Sequence, residues 1–178
     1  MALNLLKLKN IEGFKQLDPV LLKEHTVTQE EVRHLFELCD ALWLHSGNPA
    51  DPHAELTSGK CSNGFIDSLR ALRHSYLCQF LADQLVMKVE IDRGEIPSAD
   101  WVIGSDHAGA TFSYSVALKL GAMHDFTEKG GGKTQVWKRL EIKPEEVVLQ
   151  VEELITTTGT LQAVREGIRA GNQSPVNF

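Results

Sequence analysis

The stretch Val147-Val148-Leu149-Gln150-Val151-Glu152-Glu153-Leu154-Ile155-Thr156-Thr157-Thr158-Gly159-Thr160 constrains the fold more than any other part of the chain. Residues 147–151 form a mostly apolar, β-branched run, which predicts a buried strand in a parallel sheet. Glu152 and Glu153 fall where that strand ends. A hydroxyl-rich turn follows and closes on Gly159, and residues 160–169 read as a helix. Strand, acidic pair, small polar turn and helix start make an anion cradle, because loop N–H groups and a helix N-terminus both attract negative charge. Two carboxylates repel a bare phosphate, so they need another partner, either a magnesium ion or the hydroxyls of a ribose. Glu-Glu pairs and Thr-rich turns are each ordinary; the order of the features is what points to a site.

The rest of the chain supplies elements around this one. Thr28 stands three residues before Glu31 at the spacing of a capping box, and the apolar periodicity that follows predicts a helix over 28–45, ended by Ser46-Gly47-Asn48-Pro49. Residues 54–66 read as two short extended pieces around a turn at Asn63-Gly64. A long helix is expected over 68–89. A buried strand at 100–104 leads through Ser105-Asp106-His107-Ala108-Gly109 into a helix over 110–120, a second anion-cradle pattern. Residues 121–126 predict a further strand, residues 127–133 a mobile glycine-rich loop, and 134–140 a returning strand ending in Lys138-Arg139. His107 reads equally as a proton carrier or as a loop histidine holding one backbone group. The remaining histidines show no zinc-binding pattern.

At 178 residues the chain is within the usual range of one domain, taken here as N-terminal helices and a hood over 1–99 with a core over 100–178. No run approaches eighteen apolar residues, which predicts no membrane span. The formal net charge of −6 argues against a general nucleic-acid surface. Three cysteines, Cys39, Cys61 and Cys78, make no framework, and with no proper signal sequence a reducing, cytoplasmic location is expected.

The segment Glu152-Glu153-Leu154-Ile155-Thr156-Thr157-Thr158-Gly159-Thr160 resembles the ribose-phosphate motif of the type I phosphoribosyltransferases, with Thr158 in place of the motif's first glycine. If that position needs a positive φ, threonine is a poor occupant. Ser58, Gly59, Lys60, Ser62 and Phe65 are similar to a segment of the orotate phosphoribosyltransferases, with Thr57 where some members carry a lysine. Gly104 and Gly109 match the family's diphosphate loop, with Ala108 in place of a glycine and Asp106 in place of a small neutral residue. Phe126, Glu128, Lys129, Trp137, Lys138 and Arg139 resemble a strand-loop-strand of a subset of these enzymes.

The resemblance covers roughly 54–171 and implies an α/β fold: a doubly wound, mainly parallel sheet flanked by helices, with a small N-terminal hood and a shortened C-terminal edge. The family normally adds two more strands. Here the edge is closed by the N-terminal segment, closed by a partner chain, or left open. The implied chemistry is transfer of a phosphoribosyl group from 5-phosphoribosyl 1-diphosphate to a pyrimidine-like base, orotate by resemblance. The alternative is a weak or inactive relative that binds such a ligand or serves as a regulatory or structural subunit, a reading favoured by Thr158, Ala108, Asp106, Thr57 and the short C-terminus. In the enzyme reading Thr156, Thr157, Thr158, Gly159 and Thr160 hold the 5-phosphate. Glu152 and Glu153 face the ribose hydroxyls or, through water, magnesium. Gly104, Ala108 and Gly109 line the diphosphate. Lys129, Lys133, Lys138 and Arg139 supply charge from a closing loop, Lys129 being given a catalytic part, and Lys60 and Phe65 meet the base. Basic residues of that loop reach a neighbouring subunit in the family, which implies a homodimer.

Overall fold

The computed structural model describes residues 3–56, 59–96 and 98–178, so Thr57 and Ser58 lie outside the described residues. The chain divides into two compact units, Met1–His74 and Ser75–Phe178.

In the first unit, two short 3-10 turns at Leu5–Lys7 and Ile11–Gln16 precede helix α1, Pro19–Glu24, which starts with Asp18 accepting the Val20 N–H at 2.8 Å. Helix α2, Gln29–Leu38, begins on the expected capping box: Thr28 Oγ1 accepts the Glu31 N–H and Glu31 accepts the Thr28 N–H. Glu31 is buried, and it is satisfied by also accepting the Leu5 N–H at 3.0 Å. The helix stops at Leu38 rather than 45. Asp40 adopts φ +53°, and the chain continues as strand β1, Leu42–Leu44. The apolar periodicity through Leu42 and Trp43 thus belongs to a strand. Strands β2 (Ala54–Glu55), β3 (Cys61–Ser62) and β4 (Gly64–Ile66) follow. β1 pairs antiparallel with β4, and β2 with β3. Helix α3 is Ser68–Leu72, and its end tightens, with the His74 N–H reaching the Ala71 carbonyl at 3.2 Å. The expected single helix over 68–89 is therefore two.

The second unit opens with helix α4, Ser75–Arg93. It continues through β5 (Trp101–Gly104), α5 (Ala108–Leu120), β6 (Met123–Phe126), β7 (Glu128–Lys129), β8 (Gln135–Val136), β9 (Val148–Gln150) and α6 (Gly159–Gly171). Among the described residues β6, β5 and β9 form a parallel sheet in that order, and β7 and β8 form an antiparallel pair. All of β5 is buried, as expected for the central strand of a parallel sheet. This is an α/β fold with a parallel core sheet flanked by helices. Trp101, Ile103, Trp137, Ile142, Val148, Val164 and Ile168 pack as one core cluster, against which Val176 and Phe178 rest. The expected strand over 134–140 is only two residues long, because Trp137 turns inward and its indole N–H donates to the Leu140 carbonyl at 2.6 Å. On the outer edge of β9 the tail makes one parallel bridge, Val147 to Asn177, with the Val148 N–H on the Asn177 carbonyl at 2.8 Å.

Candidate functional site

Strand β9 pairs with β5 so that Ile103 faces Gln150. Carrying that register two residues on sets Ser105 opposite Glu152, just past both strand ends. There the Ser105 N–H donates to Glu152 Oε1 at 3.0 Å and the Ser105 hydroxyl to Oε2 at 2.9 Å. Gly109, in the first turn of α5, makes room for this clasp. A Cβ on Gly109 would lie 2.5 Å from Ser105 Oγ and 2.9 Å from Glu152 Oε2. Gly104 is equally constrained, since a Cβ there would fall on the backbone of Gly109 and 2.6 Å from Ser113 Oγ. Burial pushes the Glu152 carboxyl up to about 7; the Ser105 bonds oppose the rise and the neighbouring charge of Glu153 adds to it.

The 156–160 loop leaves Glu152 and runs into α6. With Glu152, Leu154, Ile155 and Leu161 its residues line a shallow concavity open to solvent. All five of Thr156, Thr157, Thr158, Gly159 and Thr160 are exposed. Among the described residues, none of their N–H groups donates a hydrogen bond, while the Thr158 carbonyl accepts the Gln162 N–H at 3.0 Å and so starts the helix. Free amides at the N-terminus of a thirteen-residue helix suit an anion. Thr158 sits at φ +56°, ψ 0°, in the left-handed region, and its side chain caps nothing. The threonine that replaces a glycine in the motif thus occupies the conformation glycine would favour.

The loop between β5 and α5 holds its acid away from this pocket's lining. Asp106 accepts from Gln135 Nε2 at 3.1 Å, Gln135 accepts the Thr127 hydroxyl at 2.9 Å, and the buried Thr127 donates its N–H to the Gly104 carbonyl at 3.1 Å. His107 is exposed, has φ +57° and stands 3.5 Å from Asp106. Ala108 and Gly109 are buried. Lys138 and Arg139 both pair with Glu128, at 3.2 and 2.7 Å, holding its carboxyl below the usual range, first through the Lys138 hydrogen bond. Lys129 and Lys133 are exposed, without an ion pair among the described residues. Lys60 and Phe65 belong to the first unit, where Phe65 is half-exposed directly across β1–β4 from half-exposed Trp43. The structure therefore gathers Gly104, Gly109, Glu152 and the threonine loop together, and ties Lys138 and Arg139 to a carboxylate instead.

Sequence reasoning overlooked Ser105, Thr127 and Gln135. A serine directly after a buried strand's terminal glycine was the available signal for the first; the other two have none in local sequence. Among the described residues there is no group of three side chains able to cage a metal. Glu152 and Glu153, adjacent at the end of β9, are the carboxylates that would hold a magnesium ion through water if one bound; both Glu152 oxygens already accept from Ser105 and keep further lone pairs.

No protein-family model matches the chain. Its fold resembles Leishmania donovani UMP synthase at a TM-score of 0.61 and 15% identity, over 85% of this chain and 30% of that one. The orotate phosphoribosyltransferase of Desulforamulus reducens is 33% identical over 129 residues, covering 72% of this chain and 65% of that protein. That of Thermus thermophilus is 32% identical over 130 residues, covering 72% and 67%. The chain thus spans about two thirds or slightly less of the length of these relatives. With the strand–acid–threonine-loop–helix arrangement, this places it: the chain belongs to the type I phosphoribosyltransferase family. Within that family it is related to the orotate phosphoribosyltransferases.

Proposed function

We propose that this protein transfers a phosphoribosyl group from 5-phosphoribosyl 1-diphosphate to a small pyrimidine-like base, orotate by family relationship, and releases diphosphate. The observation that carries the reading is the pocket lined by Glu152 and by the 156–160 loop, whose amides and hydroxyls are free. The 5-phosphate fits the amides and the ribose hydroxyls fit the acid. A base nitrogen forms its bond to the anomeric carbon as the bond from that carbon to the diphosphate oxygen breaks, and the electron pair leaves with diphosphate. Positive charge develops on the sugar. Catalysis of this kind is positioning and electrostatics, with no covalent intermediate. Glu152 and Glu153 face that cationic sugar, and with water between they are the residues that would hold magnesium. Magnesium, when bound, neutralises the departing diphosphate.

In this reading Gly104, Ala108 and Gly109 shape the diphosphate side. Lys129, Lys133, Lys138 and Arg139 act once the hairpin releases Glu128, reaching across a homodimer as in the family. Phe65 and Lys60 meet the base. The protein works in the cytoplasm on a small-molecule substrate, without nucleic acid or a membrane; no helix among the described residues is long and apolar enough to cross one.

A second reading, a ligand-binding relative without turnover, is favoured by the strained Thr158 and by Asp106 in the diphosphate loop. The test is base-dependent diphosphate release by wild type and by the E152A/E153A double variant. Release by wild type that disappears in the variant supports the enzyme. Equal release by both sinks the role of the acids, and binding of phosphoribosyl diphosphate without release favours the binder.

A further inference from the structure

We infer that Ser105 is a positioning residue that aims the Glu152 carboxylate into the threonine-loop pocket and so makes the pocket select a phosphorylated sugar over inorganic phosphate. This rests on the phosphoribosyl reading of that pocket. Ser105 spends both its donors on Glu152, the N–H on one oxygen and the hydroxyl on the other. The alternative acceptor for the hydroxyl, the Asp106 carbonyl, is 3.5 Å away against 2.9 Å to Glu152. Ser105 is buried, so water does not compete for that hydroxyl. The clasp joins three elements, the end of β5, the first turn of α5 and the end of β9, and the space for it exists only because residue 109 has no Cβ.

A carboxylate fixed on two bonds keeps lone pairs for further donors. Sugar hydroxyls donate to it without bringing charge; the unprotonated oxygens of phosphate cannot donate, and the dianion is repelled by it. A carboxylate free to swing would lose the first effect, because the sugar would have to order it.

The experiment is calorimetric titration of the full chain, at about pH 8 so that Glu152 is ionised, with two probes: ribose 5-phosphate and inorganic phosphate. In S105A the affinity for ribose 5-phosphate falls about tenfold, the scale of one lost charge-assisted hydrogen bond, and that for phosphate stays within about twofold. S105T, which keeps the hydroxyl, retains the sugar preference. G109A places a Cβ in the clasp without removing either partner and reproduces the S105A loss, which keeps the test decisive if S105A does not fold. An unchanged ratio of the two affinities in S105A or in G109A overturns the inference, as does an S105T variant as impaired as S105A. A wild type that binds neither probe removes the phosphoribosyl reading, and the inference with it. A wild type that binds both, with variants that keep the ratio, removes the inference alone.

Discussion

Replacing Thr158 with glycine should stabilise the protein, which is the reverse of what glycine does at most positions. Thr158 is held at φ +56°, ψ 0°. A β-branched residue in the left-handed region pays about 1–2 kcal/mol in clashes between its Cβ and the neighbouring carbonyl. Its side chain caps nothing and is exposed, so its removal costs no contact. Glycine gives back about 0.5–1 kcal/mol through the greater freedom of the unfolded chain. The net gain is about 0.5–1 kcal/mol, or about 1–4 °C in melting temperature for a chain of this size. Thr157, next door, is not among the positive-φ residues, so T157G should instead destabilise by about 0.5–1 kcal/mol. Urea unfolding followed by tryptophan fluorescence, with thermal midpoints beside it, measures both. Opposite signs for the two neighbours bear out the backbone argument, and a shared loss of stability in T158G and T157G refutes it.

Burial holds the Glu152 carboxyl at about 7 against an ordinary 4.5, so the folded state keeps a proton that the unfolded chain has released. Wild-type stability should therefore fall as the pH rises from about 5 to about 8. The full difference is worth about 3 kcal/mol, reduced by partial exposure and screening to about 1–2 kcal/mol. E152Q should flatten that dependence; thermal midpoints at the two pH values check it, and a variant with the wild-type slope speaks against the assignment. G104A should cost about 2–3 kcal/mol in urea unfolding, since its methyl would meet the backbone of Gly109 and the fully buried Ser113 hydroxyl; a loss below about 0.5 kcal/mol would mean that strand and helix are not in this contact. Inorganic phosphate binding should change by about twofold or less between about 50 and 500 mM NaCl, and a tenfold loss by calorimetry would show that cationic side chains hold the anion.

Much of the second unit was legible because its signals are local. Strand β5 is a short apolar run, β9 lies within a mostly apolar stretch carrying three valines at 147–151, and Gly159 marks the turn into α6; each depends on neighbours within a few residues. The clasp of Ser105 on Glu152 spans 47 residues, and only the parallel register of β5 with β9 brings the two together. The chain of bonds from Thr127 through Gln135 to Asp106 is hidden in the same way. In the first unit the error was one of period. Leu35, Leu38, Leu42 and Trp43 satisfy a helical repeat, yet the last two alternate in a strand once Asp40 turns the chain. Lys138 and Arg139 were legible as charges, but their pairing with Glu128 depends on β7 folding back on β8.

The distribution of charge explains why the threonine loop has to work through its backbone. Its pocket is lined by Glu152, Leu154, Ile155, the 156–160 residues and Leu161, with neither lysine nor arginine among the described lining residues. Of the hairpin's cations, Lys138 and Arg139 are already engaged by Glu128, and neither Lys129 nor Lys133 is among the pocket's lining residues. On a chain of net charge −6 an anion reaching this pocket meets, among the described polar lining groups, oriented N–H dipoles, hydroxyls and a carboxyl whose charge burial disfavours near neutrality. That carboxyl repels phosphate less as it takes up its proton, and accepts from sugar hydroxyls better as it loses it. Discrimination between a bare phosphate and a sugar phosphate should therefore sharpen as Glu152 ionises, which ties the specificity of the pocket to the same burial that lowers the stability of the fold.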